Sequence, residues 1–118
     1  MRMAKIVKHS VWEKVKSMPE KRAKLKFERK FTEVEMEKLK RGVIPESQED
    51  KWFILYEDNI LYFYRAWSGY CIYMIKFQKK GNEYNVLEAL ANRDKQQYEM
   101  DDETDNKILI SMINRLLQ

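Results

Sequence analysis

Between Glu49 and Phe77 the chain reads EDKWFILYEDNILYFYRAWSGYCIYMIKF, and this stretch holds ten of its fifteen aromatic residues. Within it, Tyr64-Arg65-Ala66-Trp67-Ser68-Gly69-Tyr70 sets a guanidinium among large rings, beside a hydroxyl and a glycine. An apolar core has no need for arginine next to tryptophan at a turn. The mixture suits recognition of something flat and anionic. An arginine fork meets two oxygens of one phosphate at once. A ring face adds a stacking platform for a base, which contributes roughly 1–3 kcal/mol. Arg65 and Lys51 are the candidate phosphate holders. Tyr64, Trp67 and Ser68 are candidate ring and hydroxyl contacts. Gly69 marks a place where a backbone amide or a ligand can come close, or where a turn needs glycine. Asn92-Arg93-Asp94, with Tyr98, is a polar run able to close over such a site as a loop, which adds Arg93 to the set. Trp52 reads as a core residue, and a competing assignment makes Asp50 and Arg65 an ordinary ion pair at the strand ends.

Other chemistries find little support. One cysteine and one histidine cannot form a zinc set. Neither a glycine-rich phosphate loop nor a nucleophile elbow occurs. Asp101, Asp102, Glu103 and Asp105 lack the glycine and distal glutamate of a calcium loop, and helix capping explains them better. Cys71, alone in an apolar strand pattern, reads as a core thiol. No catalytic group, metal or cofactor is expected, and a binding protein is favoured over an enzyme.

The chain's 118 residues predict one domain, with a basic segment over residues 1–31 and an α+β core over residues 32–118. No run of 18 apolar residues exists to span a membrane. The N-terminal MRMAKIVKHS lacks the apolar region of a secretory signal, so a cytoplasmic location is expected. The net charge of +4 is unevenly spread. Residues 1–41 hold fourteen Lys/Arg against six Asp/Glu, and the remainder holds nine against thirteen. Such a basic third, with Phe27 and Phe31 interleaved, offers a second reading as a nucleic-acid interface. Apolar helix faces near Trp12 and at the C-terminus offer a third, as a protein-interaction module or homo-oligomer.

The elements that must position these residues follow from local signals. Residues 9–18 predict a short helix that starts at Ser10 and stops at Pro19. Residues 20–30 predict an extended segment, since Leu25, Phe27 and Phe31 alternate with charges. Thr32-Glu33-Val34-Glu35 is a capping box that opens a helix, and Gly42 ends it. Four strands then follow: Lys51–Glu57, Ile60–Arg65, Tyr70–Gln78 and Glu83–Ala91, separated by turn residues. Asp101-Asp102 opens a last helix with a broad apolar face. The expected architecture is a four-stranded antiparallel meander, with N-terminal helices and a C-terminal helix packed on the sheet.

From about Phe27 onward the chain resembles a family of small bacterial and phage proteins. The family's pattern runs from a Glu- and Met-rich helix through a Pro-containing loop to a Glu-Asp-Lys-Trp-Phe strand and an aromatic-His-Arg-Ser-Trp-Thr-Gly turn. Here the strand motif is Glu49-Asp50-Lys51-Trp52-Phe53, and the turn motif is Phe63-Tyr64-Arg65-Ala66-Trp67-Ser68-Gly69. The resemblance implies a link to ADP-ribose or nucleotide metabolism. Tyr64 stands at the usual His position, Ala66 at the usual Ser and Ser68 at the usual Thr. Loss of the histidine with retention of Arg65, Trp67 and Gly69 favours binding over catalysis. The combined expectation is a protein that binds an ADP-ribose-like or cyclic-nucleotide anion, sequestering it in the manner of a phage counter-defence protein.

Overall fold

The structure, a computed structural model, describes residues 15–118. In chain order the elements are β1 (Arg22–Lys24), β2 (Lys30–Thr32), α1 (Glu33–Lys40), β3 (Trp52–Glu57), β4 (Ile60–Arg65), β5 (Cys71–Lys80), β6 (Glu83–Asn92) and α2 (Asp102–Leu116).

Helix α1 begins where its sequence says it must. Thr32 accepts a hydrogen bond from the Glu35 amide at 3.1 Å, and the Glu35 carboxylate accepts one from the Thr32 amide at 3.0 Å. Two backbone donors that the helix itself cannot satisfy are thereby paired. Thr32→Ala removes one of these bonds and is expected to cost about 1 kcal/mol in urea unfolding, whereas Thr32→Ser should recover most of it. Past the last turn, Gly42 adopts a φ of 61° and hands the chain to Val43, which bridges to Ile54 of β3 through two bonds of 2.9 Å.

Strands β3 and β4 form a hairpin in which Glu57 pairs with Ile60. Asp58 and Asn59, the two residues between, have φ of 53° and 64°. Two-residue hairpin turns need positive φ at both central positions, and Asp and Asn tolerate it.

The expected four-stranded meander requires correction. The sheet has six strands in the order β1-β6-β5-β4-β3, with β2 also paired to β6. Arg22 to Lys24 pair with Asn92 to Leu90, and Lys30 to Thr32 pair with Asn85 to Glu83, all antiparallel. Residues 22–24 and 30–32 of the basic third thus pair with the last long strand, out of sequence order. Two forces explain it. β6 is ten residues long, and a bare outer edge of that length leaves a row of unpaired backbone groups. Leu25, Phe27 and Phe31 gain burial in the core, while Lys24, Lys26 and Lys30 between them stay in water.

The expectation of N-terminal helices also changes. Most of the segment over residues 9–18 lies outside the described residues, and its described part, Val15 to Met18, is not helical. The first helix among the described residues is α1, which lies between two strands.

Both helices cover one sheet face. Met36 and Leu39 of α1 and Leu109, Met112 and Ile113 of α2 pack with Leu61, Phe63, Ile75 and Phe77. The opposite face carries Phe53, Leu55, Tyr64, Cys71 and Leu90, with Met18 against them. This two-sided burial is why Phe53-Ile54-Leu55 is an unbroken apolar run rather than an alternating one. Burial pushes the Cys71 thiol up to about 12, so it behaves as an inert core group. No helix among the described residues is long and apolar enough to cross a membrane.

Candidate functional site

The β3–β4 register sets Trp52 directly opposite Arg65. Opposed residues of an antiparallel pair share a face and touch. The Arg65 guanidinium lies over the Trp52 ring, 4.5 Å from its centre, and 5.9 Å from the centre of the Tyr98 ring. A cation over an aromatic face is attracted by the ring's quadrupole, more so where water is partly excluded. Among the described residues Arg65 has no hydrogen-bonding or ion-pair partner for its side chain.

Behind these rings lies a buried polar cluster. Trp52 stacks on Tyr73, with centres 5.9 Å apart and planes 21° apart. The Tyr73 and Tyr98 hydroxyls both donate to Oδ1 of Asp105 at 2.5 Å and stand 2.9 Å from each other. Asp105, in α2, is fully buried. Its Oδ2 forms an ion pair with Nη1 of Arg93 at 2.6 Å, and the same Nη1 also donates to the Asn92 carbonyl at 2.8 Å. Nη2 of Arg93 donates to Asp102 at 2.5 Å. Burial disfavours charge on Arg93, but the hydrogen bonds to Asp102 and Asp105 outweigh it, and its pKa is raised. Burial, then the bond to Asp105, raises Tyr98 to about 12 and also pushes Tyr73 upward. Both phenols therefore stay protonated and act as donors.

The loop after β6 is anchored by Asn92, itself fully buried. Its Nδ2 donates to the Cys71 carbonyl and to Gln97 Oε1, each at 2.9 Å, and its Oδ1 accepts from the Asp94 amide at 2.8 Å. An open cleft of about 380 Å³ runs along this loop, lined by Arg93, Lys95, Tyr98, Glu99, Met100 and Asp101. Its volume falls within the range of small-molecule pockets.

The expected site residues divide into two groups. Arg65 and Arg93 meet around Tyr98, with Arg93 committed to two carboxylates. Lys51 is exposed at the same strand end, where its carbonyl accepts from the Ala66 amide at 2.9 Å. Trp67 leaves 45% of its surface in water. Tyr64, adjacent to Arg65 in a strand, points to the other face, where it is buried and stacks near Phe53 at 5.8 Å. The backbone around Gly69 is occupied. Its amide donates to the Arg65 carbonyl at 2.9 Å, and its own carbonyl accepts from the Lys16 amide at 2.8 Å. Ser68 closes the same turn, its Oγ accepting from the Tyr70 amide at 3.4 Å and its carbonyl from Lys16 Nζ at 3.0 Å. Asp50 makes no pair with Arg65. Its carboxylate instead accepts from the Glu46 and Ser47 amides at 2.8 and 3.2 Å.

Sequence reasoning missed Asp105, which it grouped with the acidic cap of α2. A signal was present. Asp105 precedes Leu109, Met112 and Ile113 at spacings of four, seven and eight, so it lies on the helix's apolar stripe. A carboxylate there must find buried donors.

Comparison of the chain with protein-family models, curated proteins and solved structures finds no match in any of the three. The chemistry of the site is accordingly read from its own geometry.

Proposed function

We propose that the protein binds a nucleotide-type anion, ADP-ribose-like or a cyclic nucleotide, at the sheet end built by Arg65, Trp52 and Tyr98, and holds it without turning it over. One observation carries this reading: the Arg65 guanidinium is packed against ring faces while no carboxylate or carbonyl among the described residues takes its donors. Arginine structural pairs usually end on a carboxylate, as Arg93 does on Asp102 and Asp105. Arg65 keeps its fork for an incoming phosphate. Lys51 is exposed one residue before Trp52, and the exposed ring of Trp67 offers a stacking face for a base. Tyr64 and the Gly69 amide take no part. Arg93 shapes the loop that carries Tyr98.

A thermal-shift panel of ADP-ribose, cyclic ADP-ribose, NAD, cyclic di- and trinucleotides, and short RNA and DNA tests the proposal. One small nucleotide is expected to raise the melting temperature progressively with concentration. Arg65→Ala is expected to weaken that binding about 10- to 100-fold, from loss of a charge-assisted bond of about 1.5–3 kcal/mol. An Arg65→Ala protein that binds as the parent does contradicts the assignment. Stabilisation by RNA or DNA alone, falling steeply with salt, would point instead to the outward row Lys24, Lys26 and Lys30.

A further inference from the structure

We propose that Asp105 is the positioning residue of the Arg65 site: through two tyrosine hydroxyls, one buried carboxylate fixes both rings that hold the guanidinium. The inference rests on the reading of Arg65 as the anion-binding group and explains how that group is held ready.

The contacts form a closed circuit. Asp105 Oδ1 accepts from Tyr73, Tyr73 stacks under Trp52, Trp52 lies under Arg65, Arg65 lies over Tyr98, and Tyr98 returns to the same Oδ1. Among the described residues no side-chain hydrogen bond sets the Arg65 rotamer, so its direction depends on the two rings. Neither ring is set by its own backbone alone. Tyr98 lies in the loop between β6 and α2, where its amide bonds the Asp94 carbonyl at 2.9 Å and its hydroxyl supplies the tie to the core. Trp52 opens β3 at the sheet's edge and is only half-buried, and the ring beneath it is Tyr73. Arg93 faces the other oxygen of Asp105 at 2.6 Å, so the buried carboxylate is paired with a cation on one side and accepts from the two phenols on the other.

A side chain ordered in advance does not lose its freedom on binding, a saving of roughly two- to tenfold in affinity for one long side chain. That is the advantage Asp105 gives Arg65. A purely structural Asp105 would tie α2 to the sheet and leave Arg65 unaffected.

The test measures ¹⁵N relaxation of the Arg65 Nε–Hε group in the ligand-free protein, for the parent, Tyr98→Phe and Asp105→Asn. Tyr98→Phe keeps the ring and deletes a single hydroxyl, so it carries the test if Asp105→Asn does not fold. In the parent, Arg65 is expected to be ordered well beyond exposed Arg41. In the variants it should loosen toward Arg41. With ADP-ribose as probe, Tyr98→Phe should weaken binding two- to tenfold in the parent and leave an Arg65→Ala background unchanged, the signature of coupled residues. An Arg65 that stays equally ordered in folded Tyr98→Phe overturns the inference. Loosening of Arg65 in a protein that binds no nucleotide at all would uphold the positioning role while refuting the ligand.

Discussion

Asp105→Ala is expected to destabilise the fold by about 3–5 kcal/mol, as breaking a buried, charge-paired network does. The carboxylate has no exposed surface, accepts from two phenols and faces the Arg93 guanidinium. Alanine leaves the Tyr73 and Tyr98 hydroxyls with only each other and removes one of the two acids that compensate Arg93. It also removes the bond from Tyr98 to α2, leaving Arg93–Asp102 as the side-chain tie between the preceding loop and the helix. Against a typical total stability of about 5–15 kcal/mol, this is a large fraction. Urea unfolding should show the midpoint falling with an unchanged slope, since the same surface is exposed. A variant as stable as the parent would mean that the cluster contributes nothing net. The phenols add a pH signature. Folded Tyr98 has its pKa raised to about 12 from an ordinary 10.0, and Tyr73 is raised too, so the folded state keeps protons that the unfolded chain releases. The Tyr98 contribution is whole below pH 10 and is lost as pH climbs through about 12, while that of Tyr73, raised further, is lost only at still higher pH.

Gly42→Ala should be nearly as damaging, through sterics rather than charge. Gly42 has a φ of 61°, and a Cβ added there would collide with the Ile54 carbonyl oxygen. That oxygen accepts from the Val43 amide, so backbone has to move to relieve the overlap and the bridge to β3 breaks. A loss of about 3 kcal/mol or more is expected. Gly81 is the control. It has the same φ of 61° but nothing within 4 Å of an added Cβ, so Gly81→Ala should cost only about 1 kcal/mol, the left-handed backbone penalty. Equal losses at both glycines would show that the crowding at Ile54 relaxes freely.

Features written locally were legible in the sequence. Thr32 and Glu35 announce α1, Asp58-Asn59 announces a tight hairpin, and Asp101 opens α2 with its side chain on the Thr104 amide at 2.7 Å. Pairing of residues 22–24 and 30–32 with the far end of the chain was not legible. Alternation of Leu25, Phe27 and Phe31 says that a segment is extended and half-buried, but names no partner strand. The sheet consequently gained two strands over the expected meander.

The site divides along the same line. Arg65 at the end of the hairpin was legible, but the expected neighbour was Lys51 or Asp50, and the register instead sets Trp52 opposite it. Period-two alternation places Tyr64 away from Arg65, a consequence masked by treating residues 64–70 as one turn motif when 60–65 is strand. Tyr73 lies 25 residues before Tyr98 and 32 before Asp105, and the three meet only because α2 packs on the sheet. Acidic neighbours disguised Asp105 as one more capping residue.

The most direct measurement is a titration of ¹⁵N-labelled protein with ADP-ribose and with cyclic dinucleotides, following the Arg65 Nε–Hε and Trp52 indole signals. Saturable shifts are expected at Arg65 and Trp52 with one of these ligands, and in Arg65→Ala the Trp52 shift should need about 10- to 100-fold more ligand. Signals at Arg65 and Trp52 that stay fixed at millimolar ligand, or saturable shifts confined to other residues, would contradict the assignment.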